Sequence, residues 1–258
     1  MLQIQDLELI MSTHTLLHPS SFQLNPHQKL GLVGRNGTGK STLLKSIVGE
    51  YLPTGGKILL QGNPKLGYLP QNAVSESKES VWDELKSALV DLNELEQEIH
   101  ALERNDPTST KLVEKMEQFR IMGGYQIDEM IGSTLHGLGF SQTDWNSPCS
   151  SFSGGWQMRI ALAKLLISKP DIAILDEPTN HLDIEGIEWL QHVLLEFNGT
   201  ILFVSHDRRL MQAVATAIVY IDRGRVTRYN CDYLNFVDRR DKDLEVEIAQ
   251  DRQFDIKL

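Results

Sequence analysis

Residues 34–41 run Gly34-Arg35-Asn36-Gly37-Thr38-Gly39-Lys40-Ser41. This stretch fits the phosphate-loop pattern G-x-x-x-x-G-K-[ST] at every fixed position. A short apolar run at residues 29–33 precedes it and predicts a β-strand. Residues 42–48 follow it with the pattern of a helix that Gly49 can end. Strand, glycine-rich loop and helix in this order predict an α/β domain that binds a phosphate chain at a helix N-terminus.

The side chains at the end of this loop indicate a nucleoside triphosphate with magnesium. Lys40 can reach the β- and γ-phosphates, and the Ser41 hydroxyl can hold Mg²⁺. A glycine-rich turn that binds nothing is the competing interpretation, and the complete match in a strand–loop–helix context argues against it. The predicted nucleotide-binding residues of this segment are Gly34, Arg35, Asn36, Gly37, Thr38, Gly39, Lys40, Ser41 and Thr42.

Composition and charge narrow the class of protein. The 258 residues carry a formal net charge of −10, which makes the chain a poor candidate for wrapping nucleic acid over its whole surface. Cys149 and Cys231 lie far apart without metal-like spacing, which predicts two reduced thiols in a cytoplasmic protein. No secretory signal pattern opens the sequence, and no run of about twenty apolar residues predicts a membrane span.

A different pattern follows the predicted strands of the first 70 residues. Between Val81 and Leu102 the apolar residues recur in steps of three and four, which predicts one helix with a single apolar stripe. Residues 105–108 break the pattern, and a second helical stripe reaches about Met122, so the pair predicts a helical hairpin. The sequence leaves two compatible interpretations open: a subdomain packed on the core, or an arm that contacts a partner.

Two further apolar runs end in residues that can act on a phosphate. Asp176 and Glu177 follow the run at 171–175, and His206 follows the run at 201–204. Continuous apolar strands are typical of parallel sheets, whose ligands lie beyond the carboxyl ends of the strands. We therefore expect Asp176 to hold Mg²⁺, Glu177 to polarise the attacking water and His206 to act at the γ-phosphate. Solvated carboxylates at a strand end and a surface histidine are the alternatives.

Together these pieces resemble the motifs of ATP-binding cassette (ABC) proteins, in the family's order and over nearly the whole chain. The matching positions are residues 34–41 for Walker A, Gln71 for the Q-loop, Ser153, Gly154 and Gly155 for the signature, 174–177 for Walker B, 181–183 ending at Asp183 for the D-loop, and 205–207 for the switch histidine. The resemblance implies ATP and Mg²⁺ as ligands and ATP hydrolysis by Glu177, His206 and Gln71. It places the metal at Ser41, Gln71 and Asp176. The fold it implies is a P-loop cassette with a mixed, largely parallel core sheet, an antiparallel β-subdomain and an α-helical subdomain that carries the hairpin.

Within the family, the chain resembles the ABC-F group and its Uup-like branch, at the first cassette. This resemblance rests on five features: residues 153–156, 176–183 and 205–208, the hairpin after Gln71, and the charged segment from about Asp238. The resemblance implies a cassette at 1–237, with a helical insert at about 73–150 and a hairpin arm at about 81–122. Residues 238–258 would begin an interdomain linker helix that the chain's end interrupts.

Two positions depart from the family pattern. Phe152 replaces the leucine that usually opens the signature, a bulky apolar exchange that we expect to be tolerated. No aromatic residue stands where the family usually stacks on adenine. The matching place is near Met11, with His14 close by, so we expect Met11 to contact the base and discrimination between adenine and guanine to be weak.

The resemblance also implies partners. Two cassettes pack head to tail around two nucleotides, so the signature residues act on the nucleotide of a second cassette, in the same full-length chain or a homodimer. ABC-F proteins act on ribosomes, which makes the ribosome and its RNA the expected partner of the full-length protein. The ATPase subunit of a membrane transporter is the alternative, which the hairpin and the charged helix disfavour. A nucleotide-binding scaffold with little turnover is a third interpretation, which Glu177 and His206 disfavour.

Overall fold

The computed structural model describes residues 1–11, 14–73 and 77–255, with side chains as far as residue 244. The chain divides into two compact units. The first unit comprises Met1–Gln71, Asp171–Thr179 and Gln191–Leu258, and the second comprises Asn72–Pro170 and Asn180–Leu190. The strands are β1 (Leu2–Met11), β2 (His14–Leu24), β3 (Lys29–Gly34), β4 (Gly55–Leu60), β5 (Leu66–Leu69), β6 (Ile172–Asp176), β7 (Thr200–Val204), β8 (Ala217–Asp222) and β9 (Arg225–Tyr229). The helices are α1 (Lys40–Ile47), α2 (Val81–Lys86), α3 (Val90–Asn105), α4 (Thr110–Ile121), α5 (Ile127–Gly137), α6 (Gly154–Ile167), α7 (Ile184–Glu196), α8 (Arg208–Val214) and α9 (Tyr233–Asp255).

A six-stranded sheet forms the centre of the first unit, in the order β5-β6-β7-β3-β8-β9. The first five strands of that order run parallel, and β9 pairs with β8 in the antiparallel sense. Every residue of β6 and β7 is buried, as their unbroken apolar sequences predict. Because β6, β7 and β3 are neighbours, the segments that leave their carboxyl ends emerge side by side. The predicted fold class is confirmed.

The second sheet of this unit is antiparallel, in the order β2-β1-β4. The buried positions of β1 alternate as Leu2 and Ile4, and then as Leu7 and Leu9, so one extra residue interrupts the period of two. Asp6 supplies it: its φ is 46°, and the register with β2 shifts between Ile4 and Leu7. This β-bulge keeps both halves of β1 facing the core.

The helical hairpin is present in the second unit, with one difference from the sequence prediction. The stretch predicted as one helix forms two, because α2 ends at Lys86 and α3 starts at Val90. The side chain of Asn93 donates to the last carbonyl group of α2, that of Lys86, at 2.8 Å, and so satisfies a helix end at the turn. Leu85, Leu89 and Leu92 remain buried across the break, so the apolar stripe gave no sign of it.

Several boundaries differ from those that the sequence predicted. The apolar pattern at residues 21–24 predicts a short second strand, but that strand starts at His14. The charged helix starts at Tyr233, before Asp238. The strands β8 and β9 had no sequence prediction. The charged helix was predicted to have no end before Leu258. It continues to Asp255, and residues 256–258 lie outside the described residues. Among the described helices, none combines the length and the apolar character that a bilayer crossing needs.

Two glycines of the first unit allow the effect of close packing on stability to be separated from the effect of backbone conformation. Gly56 and Gly62 have nearly the same φ, 80° and 83°, but a Cβ atom at Gly56 would lie 2.3 Å from the carbonyl oxygen of Asp6, whereas one at Gly62 would meet nothing. We expect Gly62→Ala to lower the free energy of unfolding by about 1–2 kcal/mol, the cost of the left-handed conformation. Gly56→Ala should lower it by about 1–3 kcal/mol more, because backbone atoms must shift.

Urea unfolding followed by circular dichroism measures the difference between these two variants. Equal losses of stability would show that β4 can move away from the bulge of β1 without cost.

Candidate nucleotide-binding and hydrolysis site

A cavity of about 530 Å³ in the first unit collects most of the predicted site residues. The predicted residues that line it are Met11, Asn36, Gly37, Gly39, Lys40, Ser41, Thr42, Gln71, Asp176, Glu177 and His206. Leu16 and Val204 complete the lining and were missed by the sequence reasoning. Met11 is exposed over 45% of its surface, and it and Leu16 contribute apolar area to the cavity lining.

The phosphate loop turns directly into α1. Gly39, at the N-cap of α1, has φ of 91°, a conformation that a residue with a side chain adopts only with strain. The ammonium group of Lys40 donates to the carbonyl oxygens of Gly34, at 2.9 Å, and Arg35, at 3.0 Å. Burial lowers the pKa of Lys40, and the charges of Glu177 and Asp176 oppose that shift. The ammonium group has a third hydrogen, which remains for a phosphate oxygen.

Asp176 ends β6 as a buried carboxylate, 1% exposed. Neither of its oxygens has a hydrogen-bond partner within the described residues. Burial raises the pKa of Asp176. The Ser41 hydroxyl beside it, which lies outside ordinary hydrogen-bond geometry, and the charges of Lys40 and Lys45 oppose that shift. A buried carboxylate without donors is costly unless a cation compensates it, so Asp176 with the hydroxyl of Ser41 fits a hard divalent cation.

A tyrosine on the adjacent strand strengthens this argument. Tyr68 pairs with Ile174 between β5 and β6, two residues before Asp176 on the same face of the sheet. Its hydroxyl is buried and has no hydrogen-bond partner within the part of the chain that the structure describes. Burial, and then the charges of Asp176 and Glu50, raise the pKa of Tyr68 to about 12. The phenol therefore stays protonated, and it could donate to a ligand of a cation held by Asp176. No motif or pattern in the sequence pointed to this residue.

Glu177 follows Asp176 and leaves the strand with φ of 55°. Its backbone N–H donates to the carbonyl oxygen of Val204 at 3.0 Å, and its Oε2 accepts from the backbone N–H of His206 at 3.1 Å. Its Oε1 lies 3.3 Å from Nε2 of His206. Burial raises the pKa of Glu177, while the charge and the N–H of His206 oppose that shift. The structure thus brings the predicted base and the switch histidine together in one cavity.

The signature and the D-loop lie in the second unit. Ser153 is the N-cap residue of α6, and its side chain caps no N–H of that helix. Ser153 and Gly154 are both exposed, so the first turn of α6 presents unpaired donors to solvent. Asp183 accepts the N–H of Gly186 at 2.9 Å and so caps α7. This hydrogen bond, more than the nearby Arg159, lowers the pKa of Asp183.

A buried arginine on α6, missed by the sequence reasoning, joins these two motifs. Arg159 donates to the carbonyl oxygen of Leu138 at 2.7 Å and to that of His181 at 3.0 and 3.2 Å, and it lies 3.4 Å from the carboxylate of Asp183. Its guanidinium group also lies 4.6 Å from the ring centroid of Trp156. The sequence signal, visible afterwards, is one arginine among the apolar residues of α6.

The phenylalanine that departs from the family signature belongs to an aromatic cluster. The ring of Phe152 lies 5.7 Å from that of Phe140 and 6.3 Å from that of Trp156, and the Phe140 and Trp156 rings are 4.7 Å apart. Aromatic contacts at these distances are favourable. A bulky apolar side chain is therefore accommodated at position 152, as expected.

The fold and this combination of motifs define an ATP-binding cassette. The family model described as "ABC transporter" matches residues 17–180, and the chain belongs to this family. It is similar to ATP-binding protein Uup of Haemophilus influenzae, with 36% identity over 97% of this chain and 39% of that protein. It is also similar to the probable ATP-binding protein YheS of the same organism, with 34% identity over 100% of this chain and 40% of that protein. The predicted resemblance to Uup-like proteins is confirmed.

The chain therefore spans about two fifths of the length of these relatives. Among solved structures, the ATP-binding subunit of an ABC transporter matches with a TM-score of 0.71 and 20% identity, over 96% of this chain and 99% of that one. At this identity the likeness concerns the fold alone. Domains of this family bind ATP and are generally ATPases.

Arg159→Met should lower the stability of the second unit by about 2–4 kcal/mol, because the buried carbonyl oxygen of Leu138 and the partly buried one of His181 lose their charged donor. Hydrogen exchange at residues 180–183 should become faster as the D-loop loosens. Arg120→Met is the control, because Arg120 pairs with Glu117 on the exposed face of α4 and should change neither measurement.

Urea unfolding and hydrogen exchange by mass spectrometry provide the two readouts for these variants. Unchanged exchange at 180–183 in Arg159→Met would show that the D-loop keeps its conformation without this arginine.

Proposed function

We propose that this chain is the ATP-hydrolysing cassette of an ABC-F protein that acts as an ATP-driven switch on the ribosome. The observation that carries the hydrolysis part is the pair of buried carboxylates at the end of β6. Asp176 has oxygens free for a cation, and Glu177 is tied to His206 in the same cavity as the phosphate loop. A protein that only binds nucleotide has no need for the second carboxylate and the histidine.

The roles that we assign follow from position. Lys40 and the loop N–H groups bind the β- and γ-phosphates, and Met11 with Leu16 contacts the base. Ser41, Asp176 and Gln71 hold Mg²⁺, which supplies positive charge at the β- and γ-phosphates when it is bound. Glu177 accepts the proton of the attacking water, and His206 orients Glu177 and donates to the γ-phosphate.

A second cassette completes this proposal. The signature serine and the first turn of α6 present donors that nothing in α6 uses, and such donors suit the γ-phosphate of a nucleotide bound by another cassette. We place this cassette at residues 1–237 and the start of an interdomain linker at 238, in a longer two-cassette protein of the cytoplasm. The length of the relatives, more than twice that of this chain, supports this arrangement.

Translation is the process that we propose, because the motifs resemble the ABC-F group and a helical hairpin, α3 and α4, stands in the segment where that group carries its arm. Lys115 and Glu98 form an ion pair between these two helices at 2.5 Å, and apolar residues of both are buried between them. The ATPase subunit of a membrane transporter is the alternative, and cosedimentation with ribosomes or with membranes distinguishes the two functions.

Glu177→Gln tests the hydrolysis and the partner together. The change keeps the size and the hydrogen bond from His206 but removes the base, so hydrolysis should fall by about 10²–10⁴ while Mg-ATP binding is retained. The matched change in both cassettes of the full-length protein should trap the ATP-bound form on ribosomes and stop growth. Glu188→Gln, on an exposed position of α7, is the control and should behave as the unchanged protein.

Calorimetry measures ATP binding, phosphate release measures hydrolysis, and cosedimentation locates the protein. Loss of ATP binding in Glu177→Gln would contradict the role of Glu177 as a base. Retained ATP binding with no ribosome association would overturn the translation part, and recovery in the membrane fraction would favour the transporter alternative.

A further inference from the structure

A second cavity, which we name the rear cavity, shares a wall with the nucleotide cavity. It has a volume of about 270 Å³ and lies entirely within the first unit. Lys40, Val204 and His206 line both cavities. Arg208 and Tyr233 line only the rear cavity. The shared residues stand where the phosphate loop meets the carboxyl end of β7, so the rear cavity opens beside the proposed position of the γ-phosphate.

The lining of the rear cavity carries two positively charged side chains, Lys40 and Arg208, and the imidazole of His206 lies beside them. Among the described residues, no aspartate or glutamate lines it. The guanidinium group of Arg208 has no hydrogen-bond or ion-pair partner among the described residues, so its N–H groups remain for a ligand. A cavity lined by an unpaired guanidinium group and two further basic residues favours a small oxyanion.

The hydroxyl groups of the lining add neutral donors and acceptors. Ser205 lies 3.1 Å from the hydroxyl oxygen of Thr179 and accepts the N–H of Asp207 at 3.0 Å, which fixes its position. Tyr233, the first residue of α9, packs on Phe236 with the ring centroids 6.0 Å apart. The start of the charged helix and the phosphate loop thus both contribute to the lining of the rear cavity.

The proposed hydrolysis produces such an oxyanion at this wall. The water oxygen bonds to the γ-phosphorus, the bond from that phosphorus to the bridging oxygen of ADP breaks, and the water proton passes to Glu177. The products are ADP and inorganic phosphate. The phosphate forms between Lys40 and His206, both of which also face the rear cavity, while ADP still fills the nucleotide cavity.

We propose that the rear cavity receives the inorganic phosphate after hydrolysis and that Arg208 is its principal ligand there. This inference rests on the proposed ATPase function for its biological meaning, but the binding site itself can be tested without turnover. It assigns a task to the arginine of the segment Ser205-His206-Asp207-Arg208, for which the nucleotide cavity has no role.

Arg208→Gln in the full-length protein is the first test, with Arg209→Gln as its matched control. Arg209 is the next residue of the same helix, is also exposed and carries the same charge, but it does not line the rear cavity. Inorganic phosphate is titrated into the ADP-bound protein, and binding is followed by ³¹P NMR with sulfate as a competitor. Arg208→Gln should weaken phosphate binding about tenfold to a hundredfold, the usual value of a charge-assisted hydrogen bond. Arg209→Gln should leave it unchanged.

Rapid kinetics then separates release from chemistry. Quenched-flow measurement of ATP cleavage should be the same in Arg208→Gln and the unchanged protein, whereas phosphate appearance, followed with a fluorescent phosphate sensor, should change. Equal phosphate affinity in Arg208→Gln and Arg209→Gln would overturn the proposal. Slower ATP cleavage in Arg208→Gln with unchanged phosphate affinity would also overturn it, because Arg208 would then act on the γ-phosphate instead.

Arg208→Lys keeps the positive charge and shows whether a loss of phosphate affinity comes from the lost charge or from misfolding. It should retain more phosphate affinity than Arg208→Gln. If the unchanged protein does not cleave ATP, the proposed function fails, while the ³¹P titration still decides whether the rear cavity binds phosphate.

Discussion

One hydrogen bond continues the parallel sheet into the candidate site. The N–H of Glu177 donates to the carbonyl oxygen of Val204, one step beyond the last paired residues of β6 and β7. From that point the carboxylate of Glu177 reaches the backbone of His206 on the neighbouring segment. The two segments therefore leave the sheet already fastened to each other, and β3 brings the phosphate loop to the other side of β7. The order of these three strands brings Asp176, Glu177, His206 and the phosphate loop together.

The parts of the site in each unit are supported by that unit's own contacts. In the first unit, the carboxyl ends of the strands and the hydrogen bonds of Glu177 position the residues that line the cavity. In the second unit, Arg159 performs the same task for the signature and the D-loop, through hydrogen bonds to two carbonyl oxygens. The positive φ of His181, 69°, is part of this arrangement, because it belongs to the residue whose carbonyl oxygen Arg159 binds twice. A non-glycine residue keeps such a conformation only where its surroundings determine it.

The sequence predicted those features that depend on local chemistry. The phosphate loop needs particular residues in consecutive positions, and unbroken apolar runs identify β6 and β7, so these elements and the polar residues after them were found. Features that depend on contacts between distant segments left no such signal. Tyr68 matters because β5 pairs with β6, and Arg159 matters because Leu138 and His181 come to lie near it. The break between α2 and α3 was hidden because its apolar residues keep helical spacing.

The left-handed backbone of Glu177 limits which residues evolution or an experimenter can place there. A side chain branched at Cβ would add steric strain at φ of 55°, whereas asparagine and glycine relieve it. Replacement by alanine keeps the Cβ atom and its strain, but it removes at once the acceptor of the His206 N–H and the carboxylate proposed as the base. A loss of rate in an alanine variant would therefore combine a conformational effect with a chemical one. At position 177 the same side chain holds the neighbouring segment and supplies a carboxylate to the cavity.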